Sequence, residues 1–257
     1  MKVAADHATV KRRIDDYLWR DSSMPVSRLR RILESHFLHF DEVGIVGGLA
    51  RDFSRLGRRG FRSDVDLVIN APASSVARLA EQLNAQENRF GGFAFCHPHW
   101  KVDFWALETT WAARAGHVSV CRIEDVIQST FFDSDSIVYD LKRRRIITSQ
   151  GYFQRMAEGV LDIQLEPNPS VQGNLLRAIR RMFIWQFTPG KKLESFICRE
   201  LDEDVFCKIR EVEKNIYPTN ILSDFHSPEE VKDYLFDPSQ RRRFDPDFGA
   251  QLRLPGI

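Results

Sequence analysis

The sequence predicts an α+β fold: a mixed sheet with flanking helices over residues 1–166, followed by a small helical domain over residues 167–257. Three observations predict it. Short runs at 43–46, at a second segment that begins with Asp64 and Asp66, and at 101–107 read as strands and alternate with amphipathic helical segments. Pro167, Asn168 and Pro169 form the clearest boundary in the chain. Beyond them only helical periodicity remains.

The elements follow in order. Residues 8–20 and 26–38 read as two amphipathic helices, the second with Val26, Leu29, Ile32, Leu33 and Phe37 at helical spacing. A strand at 43–46 leads through Gly47 and Gly48 to a helical segment from Leu49 and a basic, glycine-containing loop over 56–63. A second strand carries Asp64 and Asp66 on one face, because side chains two apart in a strand point the same way. A helix over 73–84 follows Pro72, and 93–96 with 101–107 read as a strand pair around the tetrad His97 to Trp100. In the second of these, Val102 and Phe104 share one face and Asp103 lies on the other, either as a functional carboxylate or on a solvent-facing surface. A short helix spans IEDVIQS, 136–140 and 145–148 form a hairpin, a helix near 150–158 ends at Gly159, and 160–164 is extended. The helical part comprises 171–187, 191–213 and 228–236, the last started by Ser227 and Pro228, and then an irregular tail.

At 257 residues and 43% hydrophobic content the chain can bury a real core. No apolar run approaches the roughly 20 residues that a bilayer helix needs, so no membrane association is expected. The N-terminus MKVAADHATVKRR lacks the apolar core of a secretory leader. Cys96, Cys121, Cys198 and Cys207 are widely spaced with no CxxC, which argues against a structural zinc site and points to a reducing, cytoplasmic setting. A net charge of +1 conceals basic runs: Arg58, Arg59 and Arg62, then Arg143 to Arg145, then Arg241 to Arg243. His97 and His99, with Pro98 between them, suit a turn rather than a metal site, and Trp100, Trp105 and Trp111 suit the core rather than a base-stacking platform.

The stretch from Val43 to Asn70 concentrates the chemistry. Two carboxylates side by side at the start of a strand repel each other, and a shared divalent cation with hard oxygen ligands relieves that repulsion. Glycines allow close backbone approach to a ligand, and the helix N-terminus that follows supplies N–H groups and a positive dipole end suited to phosphate. A phosphate cradle beside a carboxylate pair implies phosphoryl or nucleotidyl transfer.

The order GGLARD (Gly47 to Asp52), then Asp64-Val65-Asp66, then Asp103 on a later strand resembles the nucleotidyltransferase superfamily that includes DNA polymerase β. Within it, the chain is similar to the head of bacterial poly(A) polymerases and CCA-adding enzymes, which carry GGxVRD and then a DxD pair. TFFDSDSIVYD, Thr130 to Asp140, stands where that family has RDFTINALAYD, and NLLRAIRR, Asn174 to Arg181, where it has RLLRAIRF. The resemblance spans about residues 26 to 190. It departs at Thr130 and Phe131 in place of Arg-Asp, at Asp135 in place of Asn, and at Val171, Gln172 and Asn174 in place of the base-selecting EDxxR. It supports nucleotide chemistry and leaves the choice of base unread.

The resemblance implies a nucleotidyltransferase-like mixed sheet and an enzyme that moves a nucleoside monophosphate from an NTP to a hydroxyl. It implies two magnesium ions held by Asp64, Asp66 and Asp103, with Asp103 also placed to accept the hydroxyl proton. Gly47 and Gly48 would lie against the triphosphate and Arg62 would contact it. Arg51 would pair either with phosphate or with Asp52 or another carboxylate to fix the loop. Arg177 and Arg180, one helical turn apart, would face the nucleotide or take surface and salt-bridge roles. The acceptor implied is RNA of a tRNA-like kind, with a protein side chain or small molecule left open by the low net charge, as is a protein partner. The alternative is a nucleotide-sensing or partner-binding module of the same fold with little turnover.

Overall fold

The protein's computed structural model describes residues 2–237 apart from 62, 89 and 98. Arg62, the arginines at 241–243 and the expected irregular tail lie outside the described residues. Among the described residues the chain divides into two compact units, one of 2–130 with 134–154, the other of 131–133 with 155–237.

The first unit begins with helices α1 (His7–Asp15) and α2 (Met24–Ile32), each widening into a further turn, Asp16–Arg20 and Leu33–Phe37. Asp6 caps α1 by accepting from the Thr9 amide. Val10, Ile14 and Leu18 are fully buried, and of the apolar stripe read for the second helix Leu29, Leu33 and Phe37 are fully buried while Ile32 is half-buried. Strand β1 (Val43–Val46) leads straight into helix α3 (Gly47–Arg55). The helix starts at Gly47, two residues before the expected Leu49, so the glycines supply its first amides rather than a preceding loop. Strand β2 (Val65–Ile69) and helix α4 (Ala73–Gln82) follow. Asp64 is the residue just before β2, not within it.

Strands β3 (Gln86–Glu87), β4 (Phe93–His97) and β5 (Trp100–Ala106) precede the short helix α5 (Trp111–Arg114) and the hairpin β6 (Ile137–Asp140) and β7 (Arg145–Thr148). The seven strands form one sheet in the order β3-β4-β5-β2-β1-β6-β7. Only β2 and β5 run parallel; the other neighbours are antiparallel, so the sheet is mixed. The parallel pair matters most for the site, because it sets Asp66 directly opposite Asp103. The sheet's centre is dry: Val43, Ile45, Val65, Leu67, Ile69, Val102 and Phe104 are all fully covered. Burying such a side chain stabilises the fold by roughly 1.5–3 kcal/mol. Fully buried Asp140 anchors the hairpin, accepting the Arg143 amide at 2.9 Å and the Arg145 Nε at 3.2 Å.

The chain passes from the first unit to the second within helix α6 (Tyr152–Glu158), ahead of the proline pair. The second unit holds helices α7 (Val171–Trp185), α8 (Lys191–Glu200), α9 (Glu203–Ile216) and α10 (Pro228–Phe236). It is not helical throughout, since β8 (Val160–Leu161) pairs in parallel with β9 (Thr188–Pro189). The single helix expected over 191–213 is two helices. Leu201 leaves the helical conformation and Asp202 starts α9 by accepting from the Val205 amide, a local cap that continuous apolar spacing conceals.

Candidate active site

Three pieces of backbone assemble the site in the first unit. The turn from β1 into α3 brings Gly47 and Gly48. The entry to β2 brings Asp64 and Asp66. Strand β5 brings Asp103 beside Asp66, as the parallel register dictates.

Gly47 has φ +64°, a conformation that side chains disfavour by roughly 1–2 kcal/mol. A Cβ there would lie 2.7 Å from Asp66 Oδ2, and one on Gly48 would lie 1.8 Å from Ser63 Oγ. The glycines therefore hold the turn against the carboxylate and the serine with no room for a methyl group. Ser63 Oγ is buried with no hydrogen-bond partner among the described residues, an orphaned polar atom packed against the turn. Gly47→Ala is expected to cost about 1–2 kcal/mol from the backbone alone and to push the Asp66 carboxylate aside. Urea denaturation measures the first, and a shift in the Asp66 carboxyl titration, followed by NMR, measures the second.

Asp103 is only 7% exposed, which settles its orientation in favour of a buried carboxylate. Burial pushes its carboxyl up, and hydrogen bonding and charge from Lys101 only partly counter this. The Asp66 carboxyl is pushed up to about 7, by burial first and then by the charges of Asp103 and Asp64, against weaker help from Lys101 and Arg51. No hydrogen bond from a described residue reaches it. The carboxylates thus crowd into one electrostatic neighbourhood, and like charges gathered this way characterise functional sites more than stabilising ones.

Lys101 was not foreseen. Two residues before Asp103 on β5, it shares that side of the strand and reaches across the site. Its Nζ donates to Asp103 Oδ2 at 2.8 Å and lies 3.4 Å from Asp64 Oδ2. Its side chain is 15% exposed. Burial works against its charge, yet Asp103 and Asp64 outweigh that and hold it above the ordinary lysine value. The period-two rule that paired Asp64 with Asp66 also places Lys101 with Asp103, so the signal was present in KVD.

Arg51 pairs with carboxylates, the second of the roles open to it. Its Nε donates to Asp52 and one terminal nitrogen to Asp135, both at 2.9 Å. It is almost covered, and the two carboxylates overcome burial to keep it charged. This clamp ties α3 to the segment just ahead of β6. His97 and His99 have ring centroids 6.1 Å apart. Trp100 stacks on Phe61 and donates its indole N–H to the Pro25 carbonyl.

In the second unit, Arg177 bonds Asn174 Oδ1 at 3.0 Å on the same helix. Arg180 is 4% exposed. It pairs with buried Glu213, donates to the Thr219 carbonyl at 2.8 Å and lies over the Tyr217 ring. Of the two roles read for Arg180, the salt bridge is the one its surroundings support. Within its own unit the guanidinium is thus engaged by a carboxylate, a carbonyl and an aromatic ring.

Carboxylates supply the hard oxygens that magnesium takes, and no hydrogen-bond donor among the described residues reaches Asp66, so the donor chemistry fits a divalent ion. In this structure Asp103 and Asp64 share the Lys101 ammonium. Among the described residues no group of three or more His, Cys, Asp or Glu side chains is arranged to hold a metal ion.

No family model matches the chain, and no curated protein does. Solved structures do match. A CCA-adding enzyme in complex with ATP superposes with a TM-score of 0.53 at 16% identity, over 78% of this chain and 50% of that one. A Thermotoga maritima CCA-adding enzyme complexed with tRNA gives 0.51 at 16% identity, over 83% and 52%. The chain spans about half the length of these enzymes. At such identity the likeness is one of fold: the mixed sheet with flanking helices is the nucleotidyltransferase fold, related to that of CCA-adding enzymes.

Proposed function

We propose that the protein transfers a nucleoside monophosphate from an NTP to a hydroxyl acceptor, RNA of a tRNA-like kind, using magnesium at Asp64, Asp66 and Asp103. The observation that carries this reading is the parallel register that sets Asp66 opposite Asp103 while the Gly47 turn closes on Asp66. The fold supports it, since solved enzymes that share it are described in complex with ATP and with tRNA.

Each residue has a physical role in this reading. The first amides of α3, at Gly47 and Gly48, receive the triphosphate, favoured by the helix dipole. Ser63 Oγ offers a further hydroxyl at that turn. Arg51 fixes the turn through Asp52 and Asp135 rather than by gripping phosphate. Asp64, Asp66 and Asp103 would hold magnesium, which when bound lowers the pKa of an attacking hydroxyl and neutralises a departing pyrophosphate. Asp103, with its raised affinity for protons, also serves as acceptor for the hydroxyl proton. Positioning and charge neutralisation supply most of the acceleration.

The deciding experiment offers each of the four NTPs with magnesium to total RNA and to small hydroxyl acceptors, and reads pyrophosphate release and label transfer. Labelled RNA that disappears in the Asp64→Ala, Asp66→Ala double variant is the expected result. Equal labelling by wild type and the double variant overturns it. A second reading is favoured by Lys101, which already neutralises part of the carboxylate cluster: a nucleotide-sensing or partner-binding module with little turnover. Calorimetry separates the two. Tight NTP binding without pyrophosphate release across all acceptors supports the sensor, and steady release excludes it.

A further inference from the structure

The carboxylate cluster comes with its own cation. We infer that Lys101 is a resident counter-ion, and that a divalent ion enters the site by displacing its ammonium from Asp64 and Asp103. The inference rests on the metal reading of the site given above and goes beyond it, because it makes metal entry an exchange.

Geometry carries the argument. The Lys101 ammonium touches Asp103 Oδ2 at 2.8 Å and approaches Asp64 Oδ2 at 3.4 Å, so it lies between oxygens from two separate backbone segments. An ion ligated by those same oxygens and an ammonium hydrogen-bonded to them need the same space. A divalent cation held beside a retained ammonium would also meet strong like-charge repulsion in a poorly solvated site. The lysine stem is long and flexible, so the head can swing toward solvent while the stem stays on β5. With the ammonium in place the cluster is held together without metal; with it withdrawn, both oxygens are freed for the ion. The strand's alternation fixes this arrangement, since residues 101 and 103 share one side of β5.

Manganese is the probe, measured by electron paramagnetic resonance on the full chain without nucleotide. Lys101→Met should bind Mn²⁺ at least about ten-fold more tightly than wild type, because the competitor is gone. Equal or weaker binding by a Lys101→Met protein whose circular dichroism matches wild type overturns the inference and leaves the metal reading standing. Failure of both proteins to bind Mn²⁺ overturns the metal reading and the inference together. A second measurement uses the unaltered protein: trace acylation with acetic anhydride, read by mass spectrometry. Lys101 should be protected in EDTA and should react several-fold faster when Mn²⁺ saturates the site. Unchanged protection would show that the ammonium stays in place, and the exchange would be refuted.

Discussion

Asp66→Asn is expected to cut the proposed nucleotidyl transfer by about 10³-fold while raising the thermal stability of the metal-free protein. The two effects have one cause. Asp66 sits beneath the Gly47 turn, opposite Asp103 and near Asp64, and its carboxyl is pushed from 3.8 to about 7 by burial and by those neighbours. The folded chain therefore holds a proton that the unfolded chain releases near its ordinary value. Between about pH 4 and pH 7 the folded form binds more protons, so its stability falls as pH rises through that window and levels off above it. Metal-free wild type should melt at a lower temperature at pH 8 than at pH 5.5, and Asp103, raised in the same direction, adds to the slope. Asparagine keeps the shape and removes the charge, so the variant should lose most of this slope. Calorimetric melting in EDTA across that range, beside pyrophosphate release in magnesium, tests both halves. A variant that lost activity and also lost stability would point to a structural role for Asp66 instead.

Breaking the Arg180–Glu213 pair should have the largest effect on stability. The side chains are 5% and 1% exposed. Glu213 also accepts the Leu222 amide at 2.8 Å, and Arg180 also holds the Thr219 carbonyl, so the pair pins the segment after α9 to α7. Removing one partner strands a buried charge, at a cost of about 3–5 kcal/mol. Arg180→Met and Glu213→Leu should each lower the urea midpoint of the second unit strongly. The double variant Arg180→Met, Glu213→Leu should recover a good part of the loss, because two apolar groups of similar volume leave no uncompensated charge. Losses that simply add in the double variant would show that the two side chains do not act on each other.

The elements most legible from sequence were those whose cause is local. The alternation in β2 and β5, the serine and proline that start α10, and the apolar stripe of α7 each follow from a few consecutive side chains. The misreadings had non-local or competing causes. The split between α8 and α9 is set by one aspartate capping against a continuous apolar pattern. The short pair β8 and β9 exists only because residues 160 and 188 meet across a helix. The roles of Arg51 and Arg180 could not be assigned from their helical positions, since each is decided by carboxylates 84 and 33 residues away.

The sequence by itself determined the α+β class, the position of the glycine turn, and the carboxylate identities at residues 64, 66 and 103, because periodicity and residue chemistry are properties of the chain. Tertiary structure decided what those carboxylates face. Only the parallel pairing of β2 with β5 brings Asp66 to Asp103 and draws Lys101 between Asp103 and Asp64. Strand register is fixed by burying the apolar faces of the whole sheet, and a slip of one residue would turn each of these side chains to the opposite face.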